Sequence, residues 1–146
     1  MKGLKLAVIG VSGLVGRMML EVIEELALPV DKLLPADSEQ SAGKKVGFQG
    51  REWTLQTVED VLAECPHLAL FSAGVDVSRH YAPQFANAGT TVIDNSSAWR
   101  MDPDCPLVVP EVNGDTIGPD NRIIANPNCT TMQLVMALKP LHDAFC

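Results

Sequence analysis

The sequence has few basic residues, few aromatic residues and no long apolar run. Lysine and arginine total 11 against 18 acidic residues, which gives a net charge of −7. Because nucleic-acid binding depends on clustered lysine and arginine, this charge argues against a nucleic-acid partner. No apolar run has the length needed to span a bilayer, so we expect no membrane partner either.

Closely spaced cysteines are also lacking. Cys65, Cys105, Cys129 and Cys146 form no C-x-x-C pair, and the three histidines are scattered. This spacing fits neither a zinc site nor a disulfide framework, so we expect no metal and a reducing, cytoplasmic location. The N-terminus leads directly into an apolar run, and we expect no cleaved secretory signal.

The 146 residues, of which 47% are hydrophobic and 20% charged, are predicted to form one globular domain. Strands are predicted at 5–9, 30–36, 68–71, 90–93, 107–109 and 122–125, with a short hairpin in 45–57. Helices are predicted at 14–26, 58–63, 75–88 and 131–138. This alternation predicts an α/β fold, a Rossmann-like, doubly wound and mostly parallel sheet.

Two of the predicted helices carry expectations about burial. The first has Leu14, Met18, Val22 and Leu26 at steps of four, flanked by Val15, Met19 and Ile23, and we expect this face to lie on the sheet. The last helix is apolar nearly all round, so we expect it to be buried.

A glycine-rich segment, Gly10-Val11-Ser12-Gly13-Leu14-Val15-Gly16, joins the first predicted strand to the first helix. Gly10 permits a tight turn, Gly13 lets the backbone approach a pyrophosphate, and Gly16 allows close helix packing. The helix N-terminus then faces the anion. The spacing is GxxGxxG rather than GxGxxG, and such glycines can also be purely structural. The position after the first strand favours nucleotide binding.

The loop from Asp37 to Gly43 follows the second predicted strand, where the adenosine ribose of a dinucleotide is expected. A carboxylate there normally holds a ribose 2′-hydroxyl, whereas an arginine accepts the 2′-phosphate of NADP. The loop contains acids, serines and a glutamine but no arginine. These residues leave NAD and NADP open, and a solvated turn is the alternative interpretation.

Cys129 lies in Asn126-Pro127-Asn128-Cys129-Thr130-Thr131, between the last predicted strand and the last helix. A thiol at a helix N-terminus meets the positive end of the helix dipole, which favours a nucleophilic thiolate. Asn128 is a candidate hydrogen-bond donor to an acyl oxygen. The alternative is a buried structural thiol, the commoner fate of cysteine.

Arg100 lies just beyond another strand end, on the edge of the sheet expected to carry the glycine turn and Cys129. Its guanidinium fork is suited to a phosphate or a carboxylate. The alternative is an ordinary surface arginine.

Six segments together carry a family resemblance: 10–16, 41–44, 71–74, 92–102, 108–113 and 125–131. They resemble the N-terminal part of aspartate-semialdehyde dehydrogenase, and the resemblance covers essentially the whole chain. It implies a reductase of aspartyl phosphate in the lysine, threonine, methionine and diaminopimelate pathways. The implied small molecules are aspartyl phosphate, aspartate semialdehyde and phosphate, with NADP as cofactor and NAD as the alternative.

The resemblance also implies roles for individual residues. Cys129 attacks the acyl phosphate to form a thioester, Arg100 holds the phosphate, and the reduced cofactor delivers hydride. The implied cofactor-binding residues are Gly10, Ser12, Gly13, Leu14, Val15, Gly16, Ser38, Gln40, Ser41, Ser72, Ala73, Gly74 and Asn95. Family members usually carry arginine where this chain has Gln40, which weakens the preference for NADP.

The family enzyme is longer than this chain. The resemblance implies that its general-base histidine, its substrate-carboxylate arginine and most of its homo-oligomer interface lie in a second domain after residue 146. We therefore expect residues 1–146 to be an NAD(P)-binding domain that carries the catalytic cysteine and does not turn over alone. The alternatives are an N-acetyl-γ-glutamyl-phosphate reductase-like enzyme, whose family usually has Asn-Pro-Gly-Cys, and a non-catalytic dinucleotide-binding module.

Overall fold

The protein is described by a computed structural model over residues 3–145, and Cys146 lies outside the described residues. The strands are β1 (Leu4–Ile9), β2 (Val30–Ala36), β3 (Lys45–Phe48), β4 (Arg51–Thr54), β5 (Leu68–Phe71), β6 (Thr91–Asp94) and β7 (Ile123–Ala125). The helices are α1 (Leu14–Glu25), α2 (Val58–Ala63), α3 (Val75–Asn87), α4 (Pro110–Asn113) and α5 (Cys129–Phe145). Short 3₁₀ turns cover Glu39–Ser41 and Gly114–Thr116.

Five strands form one parallel sheet in the order β2-β1-β5-β6-β7. The chain runs outward from β1 to β2 and then returns past β1 to β5, so the strand order reverses between β1 and β5. The carboxyl ends of strands beside such a reversal form the usual ligand-binding crevice of α/β sheets. The predicted doubly wound parallel fold is confirmed, and β3 and β4 form the predicted antiparallel hairpin.

Each face of the sheet has its own apolar core, because successive strand residues point to opposite faces. Val8 packs with residues of α1 and the hairpin on one face. Ile9 packs with residues of α2 and α3 on the other face, where Phe71 and Phe85 meet edge to face at 5.4 Å between ring centroids. Helices therefore cover both faces and leave the strand ends open.

The predicted buried face of α1 is wrong for the stripe at steps of four, although its flanking residue Ile23 is buried as predicted. Its buried residues are Gly16, Leu20 and Ile23, whereas Leu14 is 80% exposed and Leu26 is 64% exposed. Met18 and Val22 are also exposed. The cause is Gly16, which lies directly against the backbone of the preceding turn and so sets the rotation of the helix.

The predicted burial of the last helix is also wrong. The described part of α5 has no buried residue, and Phe145 is 82% exposed. Within residues 3–145 its main packing partner is the short α4, and the exposed apolar side chains on it include Leu134, Met136, Leu138 and Leu141. No helix within residues 3–145 combines the length and the apolar character required to cross a membrane.

The strand predicted at 107–109 is reduced to a single bridge between Leu107 and Ala125. Two hydrogen bonds support it, from the Val108 N–H to the Ala125 carbonyl and from the Ala125 N–H to the Pro106 carbonyl. Pro110 then begins α4, because proline is accommodated in the first turn of a helix.

Candidate cofactor and active site

A cavity of about 480 Å³ opens at the carboxyl ends of β1, β2 and β5, beside the reversal of strand order. Its volume is within the range of small-molecule and cofactor sites. The lining residues are Ile9, Gly10, Ser12, Gly13, Asp37, Ser38, Glu39, Thr57, Val58, Glu59, Ser72, Ala73, Val77 and Tyr81. Apolar walls and polar groups therefore meet where the fold favours a dinucleotide.

The glycine turn brings backbone close to backbone at the mouth of this cavity. Gly10 has φ +84°, and a Cβ on it would lie 2.5 Å from the Ser72 carbonyl oxygen at the end of β5. A Cβ on Gly16 would collide with the Gly10 carbonyl oxygen. Gly13 precedes α1 directly, and the first N–H groups of a helix have no partner inside it. The N–H groups of residues 10–13 are hydrogen-bonded within the chain, so the backbone donors left for an anion are those of the first turn of α1.

Asp37 joins the glycine turn to the end of β2. Both the N–H and the hydroxyl of Ser12 donate to Asp37 Oδ2, and the Ser38 N–H donates to Oδ1 at 2.8 Å. Partial burial opposes ionisation, but the hydrogen bonds from Ser12 and Ser38, with the charge of Lys44, lower the pKa of Asp37 overall. The carboxylate is therefore ionised at neutral pH and faces the cavity.

The opposite wall of the cavity comes from α2 and α3. The Tyr81 hydroxyl donates to Glu59. This bond lowers the pKa of the Glu59 carboxyl and raises the pKa of the Tyr81 phenol. Both residues line the cavity, and so does Asp37, yet sequence reasoning assigned none of them to the site. Only Asp37 carried a signal, as an acid directly after the second strand.

The predicted cofactor residues divide into two groups. Those that line the cavity are Gly10, Ser12, Gly13, Ser38, Ser72 and Ala73. The others are not among its lining residues: Leu14, Val15 and Gly16 are in the first turn of α1, Gln40 and Ser41 in a 3₁₀ turn, Gly74 at the start of α3, and Asn95 after β6. Ser41 Oγ is 3.4 Å from the Lys44 ammonium group.

Cys129 is the first residue of α5, and its side chain is exposed, so it is not the buried structural thiol of the alternative interpretation. Asn128 Oδ1 accepts a hydrogen bond from the Thr130 N–H at 2.9 Å, which is the geometry of a helix N-cap. Cys129 Sγ lies 4.0 Å from that oxygen and 4.0 Å from Thr130 Oγ1. The amide NH₂ of Asn128 is the part that can donate to an acyl oxygen.

Arg100 bridges the ends of β6 and β7. Its Nε donates to the Asn126 carbonyl oxygen at 3.0 Å, and its Nη2 donates to the Asn95 carbonyl oxygen at 3.1 Å. The side chains of Asn126 and Asn95 are also hydrogen-bonded to each other, at 2.8 Å. A guanidinium has five N–H donors, so most remain available for an anion. Asn126 precedes Cys129 by three residues, so one edge of the sheet carries the guanidinium and the thiol segment.

The histidines occupy other positions. His67 Nδ1 accepts from the Lys5 N–H at 3.1 Å, and His80 stacks edge to face on Tyr81. His142 lies on α5 thirteen residues after Cys129, which corresponds to about 20 Å of helix. Among residues 3–145 no group of three or more potential ligands could hold a metal ion.

A parallel sheet with a cavity at its reversal of strand order and a glycine turn define a dinucleotide-binding domain, and the exposed cysteine at a helix N-terminus is its candidate nucleophile. The family model described as semialdehyde dehydrogenase, NAD binding domain, matches residues 5–119. The chain therefore belongs to the NAD-binding domain family of the semialdehyde dehydrogenases.

Its relatives are aspartate-semialdehyde dehydrogenases. The one from Aquifex aeolicus is 50% identical over 144 residues, which is 97% of this chain and 42% of the relative. The one from Vibrio mimicus is 49% identical over 140 residues, which is 94% of this chain and 44% of the relative. The crystal structure of aspartate semialdehyde dehydrogenase II from Vibrio cholerae complexed with ASA has a TM-score of 0.93 and 47% identity, covering 98% of this chain and 47% of that chain. The chain thus spans less than half the length of these relatives.

Proposed function

We propose that this chain is the dinucleotide-binding and nucleophile-bearing part of an aspartate-semialdehyde dehydrogenase. The whole enzyme would catalyse the reductive dephosphorylation of L-aspartyl 4-phosphate to aspartate semialdehyde in the biosynthesis of lysine, threonine and methionine. The observation that carries the proposal is the exposed Cys129 at the start of α5 together with Arg100, which is hydrogen-bonded to the carbonyl of Asn126 in the same loop.

The proposed reaction begins at Cys129. Its thiolate attacks the acyl carbon of the acyl phosphate, an S–C bond forms, the C–O bond to the phosphoryl group breaks, and inorganic phosphate leaves. The guanidinium of Arg100, whose Nε and Nη2 are anchored on carbonyl oxygens, uses its other N–H donors to hold the phosphate. The NH₂ of Asn128 donates to the acyl oxygen as negative charge develops on it.

A bound nicotinamide dinucleotide supplies the hydride that reduces the thioester carbonyl carbon. The S–C bond then breaks, the aldehyde departs and the thiolate of Cys129 is restored. The glycine turn binds the pyrophosphate through backbone N–H groups at the start of α1. Family resemblance implies NADP as the dinucleotide.

The setting that we propose is the cytoplasm, because Cys65, Cys105 and Cys129 are all free thiols. The partners are small molecules, and the homo-oligomer implied by the resemblance belongs to the whole enzyme. The chain alone is expected to bind a dinucleotide without turnover, because the resemblance implies further catalytic groups elsewhere in the enzyme.

The test is acylation of Cys129 by an acyl phosphate. Acetyl phosphate carries the reacting group without the substrate carboxylate, so it is suited to the 146-residue chain. We expect an acetyl adduct on Cys129, located by peptide mass spectrometry, and no such adduct in Cys129→Ser. Cys65→Ser is the matched control, because Cys65 is also exposed but does not begin a helix.

The control variant should acquire the adduct at the rate of the unmodified chain. Equal acetylation of Cys65 and Cys129 would show that exposure alone governs the reaction, and the proposed nucleophile would be wrong. Dinucleotide binding without any adduct on Cys129 would favour the non-catalytic binding module instead.

A further inference from the structure

We propose that this chain selects NAD over NADP, and that Asp37 is the residue that determines the selection. The inference rests on the proposed function, because it concerns the dinucleotide of the same cavity. It reverses the preference that the family resemblance implies.

The position and hydrogen bonding of Asp37 favour NAD. It follows β2 directly, where α/β dinucleotide sites bind the adenosine ribose. A carboxylate has about four acceptor positions, and Asp37 uses three of them for the Ser12 N–H, the Ser12 hydroxyl and the Ser38 N–H. One position remains for a ribose hydroxyl. The bonds from Ser12 and Ser38 hold the carboxylate in a fixed orientation at the cavity.

The negative charge of the cavity wall also favours NAD. Asp37, Glu39 and Glu59 line the cavity, and its lining within residues 3–145 includes no lysine or arginine. The 2′-phosphate of NADP carries a charge of about −1.5 to −2 at neutral pH. Ionised carboxylates repel such a group, whereas the 2′-hydroxyl of NAD donates a hydrogen bond to one of them.

The cations near the cavity also affect the choice between NAD and NADP. Lys44 is close enough for its charge to lower the pKa of Asp37, so it is a cation that could compensate part of the repulsion of a phosphate. It lines a second groove together with Arg17 and Lys45, which adjoins the cavity at Ser12, and its ammonium group lies 3.4 Å from Ser41 Oγ. Gln40, which stands where the family usually has arginine, has no charge to offer a phosphate.

The experiment compares the binding of NAD and NADP to the 146-residue chain by isothermal titration calorimetry. We expect NAD to bind about tenfold more tightly, or better, since like charges at a binding site are strongly unfavourable. Equal binding, or tighter binding of NADP, would overturn the inference while leaving the proposed function intact. If neither dinucleotide binds, the proposed function fails and the inference fails with it.

Variants then test the role of Asp37. Asp37→Asn removes the charge but keeps an acceptor for Ser12, and should reduce the NAD-to-NADP affinity ratio by about tenfold. Asp120→Asn is the matched control, because it makes the same charge change in an exposed turn before β7 and should leave the ratio unaltered. Glu39→Gln, at an exposed wall position, should reduce the ratio less than Asp37→Asn does.

Two outcomes would show that Asp37 does not determine the preference between NAD and NADP. If Asp37→Asn weakened both dinucleotides equally, Asp37 would only be holding the Ser12 turn. If NADP bound as tightly as NAD and Lys44→Gln removed that binding, the ammonium group would be the phosphate acceptor. Either result would contradict the inference.

Discussion

The indole nitrogen of Trp99 donates a hydrogen bond to the hydroxyl of Ser78, with 2.9 Å between Nε1 and Oγ. Ser78 lies on α3 and is buried, while Trp99 immediately precedes Arg100 in the loop after β6. The bond therefore fixes the loop that carries Arg100 to α3, a helix that packs on one face of the sheet. The position of Arg100 depends on this attachment as well as on its own hydrogen bonds.

Replacing Ser78 with alanine should lower the free energy of unfolding by about 1–3 kcal/mol, because the indole N–H loses its partner in a partly buried place. Urea unfolding measures the change. In a Trp99→Phe background, where the donor is already gone, Ser78→Ala should cost clearly less. The same loss in both backgrounds would mean that the hydrogen bond contributes nothing measurable.

Arg100→Lys should slow the acetylation of Cys129 by acetyl phosphate about tenfold, because lysine keeps the charge but cannot reproduce the guanidinium fork. Mass spectrometry of the adduct over time gives the rate. The variant should also lose about 1–3 kcal/mol of stability with the bonds to Asn95 and Asn126. Arg79→Lys, at an exposed position of α3, should change neither quantity. An unaltered rate in Arg100→Lys would remove Arg100 from the site.

The alkylation rates of Cys65, Cys105 and Cys129 should differ, and the differences should depend on pH. Burial, followed by the carboxylates of Asp102, Asp104 and Asp94, raises the pKa of the Cys105 thiol. A raised pKa means less thiolate at neutral pH, so Cys105 should react slowly there and gain rate only as the pH rises above the usual cysteine range. Cys129, at a helix N-terminus, should react faster than Cys105 and Cys65 near neutral pH. Iodoacetamide labelling with peptide mapping across pH checks this order, and similar rates for all three at neutral pH would contradict it.

Cys65 and Gly89 occupy equivalent places, one residue past the C-caps of α2 and α3, with φ of +47° and +90°. Since side chains disfavour this left-handed conformation, Cys65→Gly should stabilise the protein by about 1 kcal/mol. Gly89→Ala should destabilise it by a similar amount. The loss would come from the backbone conformation alone, because a Cβ there would meet no other atom within 4 Å. Thermal unfolding provides the comparison, with Cys65→Ser expected to be neutral. A loss of stability in Cys65→Gly would refute the argument.

The sequence predicted the order of elements well because the local signals were strong. Leu68–Phe71 and Val58–Ala63 are observed as predicted. The helix predicted at 75–88 is observed as Val75–Asn87 and continues through Pro83. Parallel strands then determine which ends meet, so the proximity of the glycine turn to Ser72 and of Arg100 to the Cys129 segment was foreseeable from topology.

What the sequence did not reveal depends on tertiary contacts. The rotation of α1 is set by Gly16 against the Gly10 turn, whereas periodicity alone favoured the stripe of Leu14 and Met18. The burial of α5 depends on what covers it, which composition cannot specify. Glu59 and Tyr81 enter the cavity wall only because α2 and α3 pack side by side on one face.

The two carbonyl anchors of Arg100 mean that its rotamer freedom is lost when the chain folds, not when an anion arrives. An arginine immobilised in this way needs little reorganisation to capture a ligand. The same rigidity fixes the direction from which its unused N–H groups can be approached. Under the proposed function, the phosphate must therefore approach from that direction for these N–H groups to bind it.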